Sequence, residues 1–182
     1  MPDLGQILLT LARNAISSRF GLPQLAADDC PELHKPGATF VTLTQRGDLR
    51  GCIGSLEAWR PLAQDIRENA LSAAFRDPRF EPLTAEELPI TRVEVSLLTP
   101  AEPMSFTSEV DALAQLRPEI DGVIFTAGHR RSTFLPQVWE QLPDPASFMA
   151  HLKQKAGLPA DYWGPDVRLE RYGVTKWKEA VS

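Results

Sequence analysis

The chain has 182 residues, 43% hydrophobic and 24% charged, which suits one soluble domain with a real core. Its 24 acidic against 19 basic side chains leave a formal charge of −5, and this balance speaks against a protein whose main task is to neutralise phosphates. No apolar run approaches the roughly 20 residues of a membrane helix, and no basic segment leads into an apolar stretch as in a signal peptide. Two cysteines without a CxxC, and three scattered histidines (His34, His129, His151), do not make a self-contained zinc site. The expectation is a soluble cytoplasmic protein in which Cys30 and Cys52 stay reduced.

Leu4, Ile7, Leu8, Leu11, Ala12, Ala15 and Ile16 recur at three- and four-residue steps and predict a first helix. Pro2-Asp3 starts it, and Gly21 with Pro23 stops it. Residues 24–37 read as an irregular link. A hairpin follows: residues 39–44 are β-branched and aromatic, Arg46-Gly47-Asp48 makes the turn, and residues 49–54 return. Alternation places Leu49, Gly51 and Ile53 on one face, and Arg50, Cys52 and Gly54 on the other. Pro61 opens a helix through Phe75 whose buried stripe is Leu62, Ile66, Ala70, Ala73 and Ala74, and Asp77-Pro78 ends it. Residues 92–99 alternate as a half-buried strand, and a short helix falls near residues 109–116. A second hairpin runs from Val123 over a tip at Gly128-His129-Arg130-Arg131 to Leu135, and Pro136 stops it. A last helix spans residues 146–156 with Gly157 as its cap, and residues 167–177 form a final strand. Hairpins interleaved with helices, without regular βαβ spacing, predict an α+β fold with a largely antiparallel sheet.

The run Leu49-Arg50-Gly51-Cys52-Ile53-Gly54 is the most informative feature of the sequence. Each glycine lacks the Cβ that keeps a ligand or second backbone away, and an arginine beside a thiol favours the thiolate. For Cys52 a reactive thiol (nucleophile, transient metal ligand or hydrogen-atom donor) stands against a small packed apolar group. Arg50 either grips a carboxylate or phosphate in bidentate fashion or pairs with a local acid such as Asp77 or Glu94. Asp77 and Arg79 are either cleft residues or helix-termination chemistry. Glu94 and Ser96 share a strand face that lines a site or meets solvent. His129-Arg130-Arg131 is a compact basic cluster that touches RNA or an acidic partner, or is merely solvated. Pro136-Gln137 presents an amide or only blocks strand extension, and the four tryptophans read as core or rim because basic residues do not interleave them.

These residues also carry a resemblance. Leu49 to Gly54 resembles the signature of the AMMECR1 domain family. Ala73-Ala74-Phe75-Arg76-Asp77-Pro78-Arg79-Phe80, Val93-Glu94-Val95-Ser96-Leu97-Leu98 and Phe134-Leu135-Pro136-Gln137-Val138 after Asp121-Gly122 resemble its further motifs, in the same order. The resemblance covers essentially residues 1–182 as one AMMECR1-like domain. It implies a two-lobed α+β domain with the signature at a cleft, and a biochemical activity that is not established. Bacterial members resemble protein A of a system that also holds a Memo-like protein and a radical S-adenosylmethionine protein, so those two are the implied partners. No cofactor follows. One residue departs from the pattern: Ser132 stands where glycine is expected.

The site expected on these grounds consists of Cys52 as candidate catalytic thiol, with Arg50, Gly51, Gly54, Asp77, Arg79, Glu94 and Arg130 binding a ligand. It belongs either to an accessory or catalytic protein acting on a small or modified substrate, or to a non-enzymatic module that recruits a partner through the same groove. An RNA-binding factor is a third, weaker reading that the acidic composition does not favour.

Overall fold

Asp3 lies just before the first apolar stripe, and its side chain accepts the N–H of Gly5 at 3.4 Å, capping a helix α1 over Leu4–Ser18. This is a computed structural model, and it describes residues 3–180; Pro2, expected at the helix start, lies outside them. The stripe Ile7, Leu8, Leu11, Ala12 and Ile16 is buried, as its spacing requires. Two units emerge from the chain's internal packing. One comprises the segment up to Leu98 and the segment from Thr175 onward, and the other is Thr99–Val174.

In the first unit, β1 (Thr39–Gln45) and β2 (Asp48–Gly54) form the expected hairpin. Its turn residues Arg46 and Gly47 both have positive φ, +52° and +86°, the combination that matches the twist of paired strands. Helix α2 (Leu62–Phe75) follows, then β3 (Thr91–Leu98), which pairs antiparallel with β1 as the alternation predicted. With β8 (Val174–Lys178) the sheet order is β2-β1-β3-β8. Val41, Leu43, Val93 and Val95 point from one sheet face into a core shared with Leu8, Ala12 and Ile16 of α1 and Ile66, Ala70 and Ala73 of α2. The other face carries Thr42, Cys52 and Glu94.

The second unit holds β4 (Glu102–Pro103), α3 (Glu109–Gln115), β5 (Gly122–Ala127), β6 (Arg130–Phe134), α4 (Pro145–Lys155) and β7 (Val167–Tyr172). Its antiparallel sheet has the order β4-β7-β5-β6. Trp139 stacks on Phe148 with centroids 3.8 Å apart, at the centre of a core with Phe125, Met149, Leu152 and Leu169.

The expected antiparallel pairing is divided between two sheets, because the second hairpin builds its own. Two expectations need correction. The tip of that hairpin is only Gly128-His129, since Arg130 and Arg131 already pair with Ala127 and Thr126; a positive φ of +62° at Gly128 lets the chain reverse in two residues. The final strand is two strands, β7 and β8, which belong to different sheets and are separated by Gly173. The fold is α+β with antiparallel sheets. Among the described residues no helix is long and apolar enough to cross a membrane.

Candidate functional site

β2 lies at the edge of its sheet, so the backbone on its outer side needs partners from elsewhere. At Cys52 they come from the turn that ends α2. The N–H of Cys52 donates to Asp77 Oδ2 at 3.0 Å, and its carbonyl accepts from Arg79 Nη2 at 3.3 Å. Asp77 and Arg79 hold each other through two hydrogen bonds, Nη2 to Oδ2 at 2.7 Å and Nε to Oδ1 at 3.0 Å. The pair thus acts like a short neighbouring strand that closes the edge at Cys52. The Arg79 guanidinium, with the Cys52 and Arg79 amides, holds the Asp77 carboxyl well below the usual carboxylate range, against the opposing effect of its burial.

Register places the Cys52 side chain. Thr42 is the cross-strand partner of both Cys52 on β2 and Glu94 on β3, so Cys52, Thr42 and Glu94 form one row across three strands. The row stands on the face turned away from α1 and α2. Thr42 Oγ1 lies 3.3 Å from Cys52 Sγ. All three residues are half-buried, and Glu94 has no ion pair among the described residues.

Arg50 does not share that face. The β1–β2 register shifts by one residue between Leu43 and Thr44, leaving Arg50 as the extra residue of a bulge. A bulge breaks strict alternation, and Arg50 converges with Gln45 on Glu87. Its Nε donates to Glu87 Oε2 at 2.8 Å and its Nη2 to the Glu81 carbonyl at 2.8 Å, while Gln45 Nε2 reaches Glu87 Oε2 at 3.0 Å. The Arg50 guanidinium, then the Gln45 amide and the Thr84 N–H, lower the Glu87 pKa to about 2 against its partial burial. The guanidiniums of Arg50 and Arg79 both lie near the Phe80 ring, 5.7 and 5.5 Å from its centroid.

Both glycines of the run are needed by groups inside the chain. A Cβ on Gly51 would stand 2.2 Å from the backbone carbonyl oxygen of Ala73, so α2 packs directly on the β2 backbone there. A Cβ on Gly54 would stand 2.2 Å from the ring of Phe40, its cross-strand partner. Beyond Gly54 a buried carboxylate anchors the strand end: Asp65 accepts from the Thr39 N–H at 2.8 Å, Ser55 Oγ at 2.6 Å and Arg60 Nε at 2.8 Å.

The structure therefore gathers Arg50, Gly51, Cys52, Gly54, Asp77, Arg79 and Glu94 in the first unit. Arg130 belongs to the second, where it stands on the helix side of its sheet and donates to the Ala156 carbonyl at 3.4 Å. Ser132, in place of the expected glycine, donates to the Leu152 carbonyl at 2.6 Å and ties β6 to α4. Sequence reasoning missed Thr42, Glu87 and Phe80. Thr42 was legible as the residue opposite Cys52 in the hairpin, and Glu87 as the fourth residue of a Thr-x-x-Glu capping box starting at Thr84, which the structure contains. Among the described residues no group of three or more His, Cys, Asp or Glu side chains could hold a metal.

Comparison with known proteins gives one consistent result. A protein of Methanothermobacter thermautotrophicus is 40% identical over 179 residues, covering 93% of this chain and 91% of its own length. One of Methanocaldococcus jannaschii is 36% identical over 96% of this chain and 90% of its own. The crystal structure of an uncharacterised protein from Pyrococcus horikoshii superposes with a TM-score of 0.79 at 33% identity, covering 96% of this chain and 91% of that one. The family model for AMMECR1 matches residues 9–177, and with these relatives it shows that the chain belongs to the AMMECR1 family.

Proposed function

We propose that the chain is a binding component of a multi-protein system, contributing a recognition surface on the outer face of the β1–β2–β3 sheet. Its partners on this reading are the Memo-like protein and the radical S-adenosylmethionine protein implied by the family resemblance. The supporting observation is the cross-strand row of Cys52, Thr42 and Glu94, which offers a thiol, a hydroxyl and a carboxylate in line on a β-sheet. The charged groups around the row are engaged within the chain, Arg50 with Glu87 and Arg79 with Asp77, so they stiffen the surface. A sulfur nucleophile needs a base within hydrogen-bond reach, and the group beside Cys52 Sγ is the weakly basic hydroxyl of Thr42.

Purified Memo-like and radical S-adenosylmethionine proteins are titrated against wild type, Glu94→Arg and Cys52→Ala. Glu94→Arg is expected to weaken binding by about tenfold or more through reversed charge at the contact. Cys52→Ala is expected to leave turnover of the assembled system within about twofold of wild type. A folded Cys52→Ala protein that binds its partners but abolishes turnover would overturn the reading in favour of thiol chemistry.

A further inference from the structure

In the first unit, residues 24–37 run beside α1 and α2 as a strap anchored at both ends. Near its start the Asn14 side chain grips the backbone of Leu25 twice: Nδ2 donates to the Leu25 carbonyl and Oδ1 accepts the Leu25 N–H, both at 2.8 Å. At its far end the N–H of Leu62 donates to the Lys35 carbonyl at 2.8 Å, and Pro36 pairs with Pro61 as an isolated bridge. Between the anchors Leu33 is buried in the core, whereas Ala27, Asp28 and Asp29 are exposed. The strap leaves a groove there of about 390 Å³, lined by Leu11, Asp28, Leu33, Ala63, Gln64 and Arg67, among others. Because the anchors lie to either side of it, the groove is preformed, which lowers the cost of binding.

The groove carries opposite charges on its two sides. On the strap, Asp29 is occupied: its Oδ1 accepts the Cys30 N–H at 2.9 Å and lies 2.9 Å from His34 Nε2. The Asp28 carboxylate is exposed and makes neither a hydrogen bond nor an ion pair among the described residues. On α2, Arg67 stands one turn beyond Ala63 on the same face, and its guanidinium is likewise exposed and unpartnered among the described residues. A free carboxylate and a free guanidinium therefore border one groove without bridging it. Leu11, Leu33 and Ala63 give it an aliphatic lining.

We propose that this groove binds an aliphatic α-amino acid of about the size of leucine, in its zwitterionic form. Arg67 takes the carboxylate, since a planar guanidinium matches two carboxylate oxygens. Asp28 takes the ammonium, and the Gln64 amide adds a hydrogen bond to the carboxylate. The ligand's side chain lies on Leu11, Leu33 and Ala63. The opposed charges select this class. A lone anion meets Asp28 and Asp29, a lone cation meets Arg67, and either leaves the other side of the groove uncompensated. A zwitterion satisfies both. The site lies within the first unit and shares no residue with the Cys52 row.

Isothermal titration of the full chain with L-leucine, L-leucinamide, 4-methylpentanoate and glycine tests the assignment. The three comparators lack, in turn, the carboxylate, the ammonium and the aliphatic side chain. L-leucine is expected to bind with a Kd below about 1 mM, and each comparator at least about tenfold more weakly. Arg67→Gln and Asp28→Asn are each expected to cost about tenfold or more in leucine affinity, and Arg67→Lys to restore part of the first loss. The proposal is overturned by no leucine binding up to about 10 mM. It is equally overturned by any comparator binding as tightly as leucine, or by leucine affinity unchanged in either Arg67→Gln or Asp28→Asn. Circular dichroism of each variant confirms folding, and both residues, being exposed, are substitutions the core does not feel.

Discussion

Asp77 receives the backbone N–H of Cys52 at 3.0 Å, and through Arg79 it also returns a donor to the same residue's carbonyl. One peptide edge is thus satisfied by a single ion pair. The two partners differ in burial: Asp77 is 4% exposed, whereas the Arg79 side chain is 53% exposed. Asp77→Ala is therefore expected to destabilise by about 2–4 kcal/mol, because it orphans the Cys52 N–H and removes a buried acceptor. Arg79→Ala should cost about 1 kcal/mol or less. Urea unfolding of both variants checks the asymmetry, and equal losses would refute the edge-closing role of the carboxylate.

Gly51 and Gly54 should respond differently to alanine. At Gly51 the new methyl meets the backbone carbonyl of Ala73 in the last turn of α2, which cannot swing aside as a side chain can, so a loss of about 3 kcal/mol or more is expected. At Gly54 it meets the side chain of Phe40, and a smaller loss of about 1–2 kcal/mol is expected. A Phe40→Leu background should offset the Gly54→Ala loss and leave the Gly51→Ala loss unchanged. A double-mutant cycle on unfolding free energies reads the coupling directly.

Acid should weaken the first unit through Glu87. Its ordinary value of 4.5 falls to about 2 in the fold, held down chiefly by the hydrogen-bonded Arg50 guanidinium. A depressed carboxyl contributes its stability fully above pH 4.5 and loses it as pH falls towards 2. Asp77 shifts in the same direction and extends the loss further into acid. Glu87→Gln is expected to flatten the stability profile in that window by on the order of 2 kcal/mol, after allowance for the quarter of the side chain that meets solvent. Unfolding series at several pH values would detect it, and a profile parallel to wild type would contradict the assignment.

Arg50 is engaged with Glu87 and stands off the Cys52 face, so Arg50→Ala should change stability and not thiol reactivity. The expected loss is about 1–3 kcal/mol. The rate of Cys52 alkylation at a fixed pH should match that of wild type. A clearly slower alkylation in the folded variant would show that the guanidinium acts on the thiol after all.

The hairpin, both long helices of the first unit and the pairing of β1 with β3 were legible because periodicity reports which side of an element is buried. The orientation of Arg50 was not. A bulge changes the phase of alternation without changing composition, and Gly51 beside it reads equally well as a bulge or as a close backbone approach. The glycines were readable as a close approach, but not which group approaches, since Ala73 comes from a helix placed by tertiary packing. Asp65 shows the same limit. Its partners Thr39 and Ser55 lie 26 and 10 residues away across strand and loop, and only Arg60, just ahead of α2, is local, so a buried carboxylate on an otherwise ordinary amphipathic helix gives little local sign of itself. The break at Gly173 escaped because both flanking segments favour strands; only pairing assigns them to different sheets.

The position of β8 has a consequence for synthesis. The chain leaves the first unit after Leu98 and re-enters it at Thr175, so all of the second unit is translated before the strand that borders β3. Only Gly173 separates β7 from β8, so the two units receive their last strands together, and until then the earlier segment waits with the outer edge of β3 unpaired and with no Trp177 against Gly5. A released chain truncated after Gly173 would keep every strand of the second sheet and leave the first with that exposed edge, which is where a chaperone would find its target.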